Sequence, residues 1–580
     1  MSFQQAFCFY PLMISWLLLT VLIGVRAAVV WRRIPVFFHG NAGSWFLSEK
    51  ILLGIILLIC MVSAITAIAG IPNTWDSMTY HLPRAEHWIQ NRTVGFYPTN
   101  VIRQLYITPW AEFAIAHMLI LGGGDTSVNL VQWAAMAGSL IGVSLIARQL
   151  GAGRTGQLMA AVFVSTLPMG ILQSVSTQTD YVCAFWVVAF VFFLIESRRE
   201  PILMHAIAAG LGLGLACLTK GNSYIFALPF LGWFTWTSAK VRLRQCIAAV
   251  LLIVVCVLVL NIGQYVRNTQ TFRSPAWTNA PLMNASLSPR ILWINILRNI
   301  GVHLATPVMK VNEKTTQVIT RAAQLLGADI NDPRATIGGN FVINSIYFDE
   351  DYTGNFIHIL LFGTVLLLSW FYRPIKARIN FYVVSVIFSF LLFCLVVRFQ
   401  PWQSRFHLPL FILFCPVAGV VLERGLNQKS VLLGAVFFLA ALPGLFLNKQ
   451  HPWMGEFNIW RQPKPAQYFY KRPDFALPYA ASSVFLNSAG CRQIGLLISE
   501  DTWEYPWWKF LQGKGLRIEH VGVSNLSASL KYPLGDFEPC AVIVSGIEKG
   551  ALLMVGSGIY GQVWSIPEGA GKISIFLRKF

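Results

Sequence analysis

Apolar positions along this chain gather into runs instead of alternating, and the runs recur at lengths near the ~20 residues with which a helix crosses a bilayer. Twelve can be counted, at roughly 8–30, 51–70, 127–147, 156–173, 181–195, 202–219, 224–239, 245–263, 356–372, 379–397, 408–423 and 430–447. Basic residues punctuate them. Alternate connections hold Arg32, Arg33 and Lys50; Arg148 and Arg154; Arg198 and Arg199; Lys240, Arg242 and Arg244; Arg373, Lys376 and Arg378; Arg424 and Lys429. The bias of Lys and Arg toward cytoplasmic loops puts all six on that side. Both termini and three long segments, 71–126, about 264–355 and about 448–580, then face outward.

Composition turns the pattern into a class. Charged residues are 12% of the 580 and hydrophobic ones 55%, where a soluble domain has ~25% charged. A polytopic α-helical membrane protein of about twelve transmembrane helices is expected, and a water-soluble fold is excluded. The net charge of +19 would suggest nucleic acid in a soluble chain. Here the cations separate apolar runs and do not share a face, so they report topology and no nucleic-acid partner is expected. Eight of the ten cysteines lie in apolar runs as small hydrophobes, which leaves Cys491 and Cys540 able to form a bridge outside the membrane. The N-terminal stretch has no basic region ahead of it and is too long for a signal peptide, so it reads as a retained helix.

The tail differs from what precedes it. Residues 448–580 carry 14 Lys+Arg and 10 Asp+Glu, a soluble density. RQIGLLIS, LRIEHVGV and AVIVSG read as strands and EYPWWKFLQGKG as a helix closed by glycine. A transmembrane domain over 1–447, with external loops 71–126 and 264–355, is therefore expected to precede a small external α/β domain over 448–580, joined through the Pro-rich 461–473.

Candidate chemistry lies at the outward ends of the runs. IPNTWDSMTYHLPRAEH places Asp76, Tyr80, His81 and Arg84 just past a span; Asp76 is either the cap of a short interfacial helix or a partly desolvated general base. TPWAEFAIAHMLILG is read as an amphipathic helix on the external surface, with Glu112 and His117 solvated on its polar face. Asp180 opens another span, as cap or site residue. Lys220, between two apolar runs, requires an anionic partner or must snorkel; with Arg405 and His407 of VVRFQPWQSRFHLPLF it either meets lipid headgroups or builds a phosphate site. Asp349, Glu350 and Asp351 either cap the following span or hold a divalent cation, the one cofactor the residues suggest. Glu504, Trp507 and Trp508 are either core or a sugar-stacking platform. No GxxxxGK[ST], HExxH, GxSxG or paired CxxC is present in the chain, which removes the motif support for ATP-driven transport, metalloproteolysis and serine hydrolysis.

PNTWDSMTYH, TPWAEF, TQTDYVCAFW, GLGLGLACLTKG and RFHLPLF together resemble the GT-C glycosyltransferases, in particular bacterial relatives of protein O-mannosyltransferases and of the lipid A aminoarabinose transferase, over about 51–425. The resemblance implies transfer of a sugar from a polyprenyl-phosphate carrier, with inversion, to a lipid, protein or glycan acceptor on the external, periplasmic face of a bacterial inner membrane. The family's catalytic acid would match Asp76 and its second acid Asp180; its carrier-phosphate cations would match Lys220 and Arg405. Tyr80, His81, Arg84, Glu112 and His407 complete the expected substrate-binding set. WDSMTYH has a single acid where many relatives have two adjacent ones, and the span at 8–30 and the tail domain are additions. A transporter or flippase for a lipid-linked saccharide, or a lipid-linked oligosaccharide ligase, would draw on the same residue types.

Overall fold

A computed structural model describes residues 8–31, 45–198, 202–275, 282–344, 348–371, 376–511, 513, 515–547, 549–566 and 572–579; the basic positions Arg32, Arg33, Arg199 and Arg373 lie outside them. Every apolar run forms helix within the described residues. Six helices are long and apolar enough to cross a membrane: Leu47–Ala69, Leu130–Gln149, Ile202–Thr219, Ser223–Phe272, Ile379–Val396 and Gln403–Leu426. A seventh crossing results if Arg154–Ser165 and Pro168–Ser174, bent by 69°, are one span.

The expected twelve is not reached on this measure, for local reasons. Pro168, which has no N–H to give, starts a new helix after Leu167 and splits the run at 156–173. Asp180–Glu196 is bounded by acids at both ends and Ser430–Phe446 is equally short, at 17 residues each. Ser223–Phe272 joins two runs, 224–239 and 245–263, but Arg242 has non-helical angles. Cys246 Sγ lies 3.8 Å from the Thr235 carbonyl oxygen, where eleven residues of straight helix would set them roughly 16 Å apart. The chain therefore doubles back at Arg242, and the two runs are the arms of a hairpin.

Small residues let these helices approach closely. A Cβ on Gly419 would lie 2.2 Å from the Gly156 carbonyl oxygen, and one on Gly210 2.9 Å from the Ile253 Cα. Close backbone approach is how helices gain dispersion contact where lipid removes the hydrophobic drive.

At one end of the bundle, residues from 71 to 131 and the tail share a single apolar core that runs from Ile71, Met78 and Leu82 to Tyr479, Ile494, Trp503 and Ile575. The tail holds a six-stranded sheet: β1 Gln493–Ile498, β2 Arg517–His520, β3 Ala541–Ser545, β4 Leu552–Val555, β5 Gly558–Ile566 and β6 Ile573–Arg578, in the order β2-β1-β3-β6-β5-β4. β1 pairs parallel with β2 and β3, and the remaining pairs are antiparallel. β1 and β3 are buried almost throughout, as expected of central strands covered on both faces. Cys491 and Cys540 form the anticipated disulfide. Glu504 and Trp507 are fully buried, and Trp508, partly buried, packs against the same core as Trp507, so the three do not form an open stacking platform.

The segment 264–355 builds a third, smaller core around Ile291, Ile294, Ile319 and Phe341, carried by helices Pro289–Gly301 and Met309–Leu325.

Replacing Gly419 with Ala pushes a methyl into the Gly156 backbone, and overpacking of this kind costs about 1–3 kcal/mol. A lowered unfolding temperature of the detergent-solubilised protein is the expected reading; an unchanged one would mean that the two helices are free to separate.

Candidate functional site

The span Leu47–Ala69 ends in the extended residues 71–74, which the tail grips. Asn73 Nδ2 donates to the carbonyls of Gln450 (2.8 Å) and Gln467 (3.0 Å), and the His451 ring lies 2.9 Å from the Ile71 carbonyl. Helix resumes at Trp75 and widens to a π turn over Ser77–His81, an irregularity often found at functional sites. The capping that the sequence offered to Asp76 is done by Thr74, whose hydroxyl accepts from the Ser77 N–H and lies 2.5 Å from the Ser77 hydroxyl; Thr177 donates to that same hydroxyl at 2.6 Å. Asp76 makes no cap bond and its carboxylate is left to pair elsewhere.

Its partner is Arg405. The turn Gln403–His407 opens the last long span and carries the guanidinium inward, with Nη2 2.7 Å from Asp76 Oδ2 and Nη1 3.1 Å from Asp351 Oδ1. Lys220, just beyond the helix Ile202–Thr219, sets Nζ 2.5 Å from Asp180 Oδ1, the anionic partner the sequence required. The Phe406 ring joins the two pairs: its centroid is 4.5 Å from Lys220 Nζ and 5.2 Å from Arg405 Cζ. Asp76, Arg405, Phe406, Lys220 and Asp180, drawn from both ends of the helical domain's sequence, thus form one row. The Asp76 and Lys220 side chains keep 13% and 22% of their surface open, enough for a small polar group to reach them.

Electrostatics fix the charge state of Asp76. Burial alone would lift its pKa, but Arg405 first, then His81 and Arg103, outweigh burial and hold the carboxyl well below the usual carboxylate range. Tyr80 lies under the Arg103 guanidinium at 5.1 Å, and burial, then Asp76, push its phenol up. It stays a neutral hydroxyl beside the carboxylate.

Three expected members form a separate cluster. Arg84, fully buried, donates to the carbonyls of Gln104, Arg103 (2.8 Å) and Ile107 (2.9 Å), so it holds the 103–107 turn in place. Glu112 takes Arg84 at 3.1 Å and His81 at 2.8 Å on one oxygen and is 0% exposed. It is not the solvated polar-face group expected, because the helix Leu82–Asn91, with Arg84 and His81, packs on the face that a lone surface helix would leave wet. His407 pairs with His303 at 2.8 Å beside Phe393, and Arg405 alone of those two residues meets the acids.

Sequence reasoning missed Arg103, Thr177 and Lys471. Asp351 was noticed only as part of an acidic run. One oxygen of each of Asp349, Glu350 and Asp351 lies within 4.8 Å of the others, as a divalent cation would need, yet Lys471 places its ammonium among them. Burial, then Asp349, push the Glu350 carboxyl up to about 8. A second group with metal-ligand chemistry, His87, Glu504 and His520, is wholly buried where the sheet meets the helix Leu82–Asn91. Glu504 is already met by His87 Nε2 (2.9 Å), His520 Nε2 (3.1 Å), Gln104 Nε2 (2.6 Å) and Trp508 Nε1 (2.9 Å). Burial would raise its pKa, and the two histidines more than reverse that.

Residues 108–262 match the family model described as dolichyl-phosphate-mannose-protein mannosyltransferase. Among solved structures, ArnT from Cupriavidus metallidurans bound to undecaprenyl phosphate aligns with a TM-score of 0.55 at 11% identity, covering 90% of this chain and 97% of that one. The apo state of the same protein aligns at 0.54 and 12%, covering 92% and 98%. The chain has the GT-C fold. No curated protein sequence matches it. With that fold and its apolar helices, the protein is an integral membrane protein, and the acids and cations of the row stand at one end of the GT-C helical bundle, under the tail domain.

Removing the Glu504 carboxylate by substitution with Ala strands four buried donors, at a cost of about 3 kcal/mol or more. Since its folded pKa is depressed, the Glu504 contribution is complete above the ordinary glutamate value of about 4.3 and is lost as pH falls toward the folded value. Thermal unfolding across pH should show the wild-type protein losing stability below that value more steeply than Glu504→Ala.

Proposed function

We propose that the protein is a membrane glycosyltransferase that moves a sugar from a polyprenyl-phosphate carrier to an acceptor, with inversion, at the periplasmic face of a bacterial inner membrane. The observation that carries this reading is the row itself: one solvent-reachable carboxylate 2.7 Å from a guanidinium, with an ammonium across a shared phenyl ring. A polyprenyl phosphate is already a good leaving group, so the chemistry needs one base and a few cations, unlike the two carboxylates of a glycosidase.

In this reading the acceptor O–H or N–H attacks the anomeric carbon from the side opposite the phosphate. The bond from that carbon to the phosphate oxygen breaks and its electron pair leaves with the carrier. Asp76 takes the acceptor proton, while Arg405 and Lys220 stabilise charge on the departing phosphate. Asp180 holds the Lys220 ammonium in place. A phosphate seated between the two cations takes up part of the Arg405 charge, and Asp76, held less tightly, becomes a stronger base at the moment it is needed. Polar groups gathered at one rim favour this over a transporter, whose substrate groups usually lie near the bilayer midplane.

Asp76→Asn keeps the shape and removes the base. In membranes supplied with labelled polyprenyl-phosphate sugar, transfer should fall by about 10²–10⁴-fold with protein abundance unchanged; wild-type transfer in that variant would remove Asp76 from the reaction.

A further inference from the structure

The proposed reaction gives no part to Lys471, which stands in the connection between the last helix of the bundle and the sheet domain. Its Nζ lies 2.5 Å from Asp351 Oδ2, 2.8 Å from Glu350 Oε1 and 3.5 Å from Asp349 Oδ1. An ammonium has three protons, one for each of these carboxylates. Gln450 Nε2 at 3.1 Å and Lys449 Nζ at 4.0 Å also face the triad, both at Asp349 Oδ2, and the Asp351 N–H donates to Asp349 Oδ1 at 2.9 Å. The spacing of the three oxygens suits a hard divalent ion, and the chain supplies its own cation at that place.

What makes this more than a structural contact is the second partner of Asp351. Its Oδ1 faces Arg405 Nη1 at 3.1 Å, and Arg405 gives Nη2 to Asp76. Arg405 is therefore shared between two acids, and Asp351 between two cations. Taking the Lys471 charge away leaves Asp351 to compete with Asp76 for the Arg405 guanidinium, and Coulomb attraction in a poorly screened site draws Arg405 toward the triad.

We propose that Lys471 is a positioning residue for the Asp76–Arg405 pair: its tethered ammonium fills a three-carboxylate site that would otherwise take a divalent cation, and by satisfying Asp351 it keeps Arg405 turned to Asp76. The catalytic half of this inference rests on the glycosyltransferase reading above; the cation half does not. The charged and titratable groups around Asp76 are Arg405, His81, Arg103 and Tyr80, and those around Arg405 are Asp76, Asp351, Asp180 and Tyr80. Of these, the contact with Asp351 alone is shared with Lys471. Loss of the ammonium loosens Asp76 from Arg405, so the Asp76 carboxyl moves back up toward the ordinary carboxylate range. The acid limb of the transfer rate, which requires Asp76 ionised, moves to higher pH.

Full-length Lys471→Ala, Lys471→Gln and Lys471→Arg, and the double variant Lys471→Ala with Asp351→Asn, test this in detergent and in proteoliposomes. Calorimetric titration with Ca²⁺ alone should give no binding to the wild-type protein, one ion per chain to Lys471→Ala and Lys471→Gln, and a loss of that binding in the double variant. Transfer should fall by about tenfold to a hundredfold in the two neutral variants, the cost of a displaced catalytic group, with the acid limb shifted upward. Ca²⁺ or the Lys471→Arg exchange should recover much of the loss. The inference is overturned if neither neutral variant takes up Ca²⁺, or if both transfer sugar with the wild-type pH profile. It is overturned equally if the loss is recovered by neither Ca²⁺ nor arginine, which would mark a purely structural residue. Should the wild-type protein itself transfer no sugar, the glycosyltransferase reading fails while the Ca²⁺ titration still decides whether Lys471 fills a cation site.

Discussion

Charges removed from water must be paired, and the end of this bundle that meets the tail domain is organised by that requirement. Asp76 and Arg405 come together from chain positions 329 apart, Asp180 and Lys220 from positions 40 apart. Each of these groups alone would cost several kcal/mol at such burial. Pairing fixes where the helix ends must stand relative to one another. The spans Leu47–Ala69, Asp180–Glu196, Ile202–Thr219 and Gln403–Leu426 each deliver a polar residue at or just past their ends, so satisfying the pairs sets the bundle's register as well as its chemistry.

The tail domain extends the same logic. Its sheet shares an apolar core with residues from 71 to 131, and several polar groups drawn into that joint find partners from the other side. Glu504 faces His87 and Gln104, Lys509 reaches Glu86 at 2.6 Å, and Asn100 donates to the carbonyls of Leu496 and Val521. Through Asn73 and His451 the tail also grips the residues leading to Asp76. The domain is thus part of what holds the Asp76 carboxylate, and Lys471 reaches the row from within the same connection.

Two clusters with metal-ligand chemistry occur among the described residues, and both are met by protein groups: Lys471 among the triad, and four donors around Glu504. Partial satisfaction of buried carboxylates is costly, which explains why Asp349, Glu350 and Asp351 recruit a lysine more than a hundred residues away. The local alternative, three acids capping the span that begins at Phe356, would leave them close together and unneutralised.

Much was legible from the amino-acid order alone, because a bilayer imposes length and apolarity on any segment that enters it. The runs, the basic punctuation, the soluble tail with its bridge between Cys491 and Cys540, and the rim positions of Asp76, Asp180, Lys220 and Arg405 all follow from local composition. Crossing lengths did not, since a proline at 168 and a reversal at Arg242 act on geometry that hydropathy does not record. Partnership was decided by the tertiary structure. Whether Asp76 capped its own helix or faced Arg405 depended on Thr74 taking over the cap, and whether Glu112 met water or Arg84 depended on what lay above it. Local sequence sets which residues must avoid lipid and which must find an opposite charge; only the folded chain brings the opposite charge within reach.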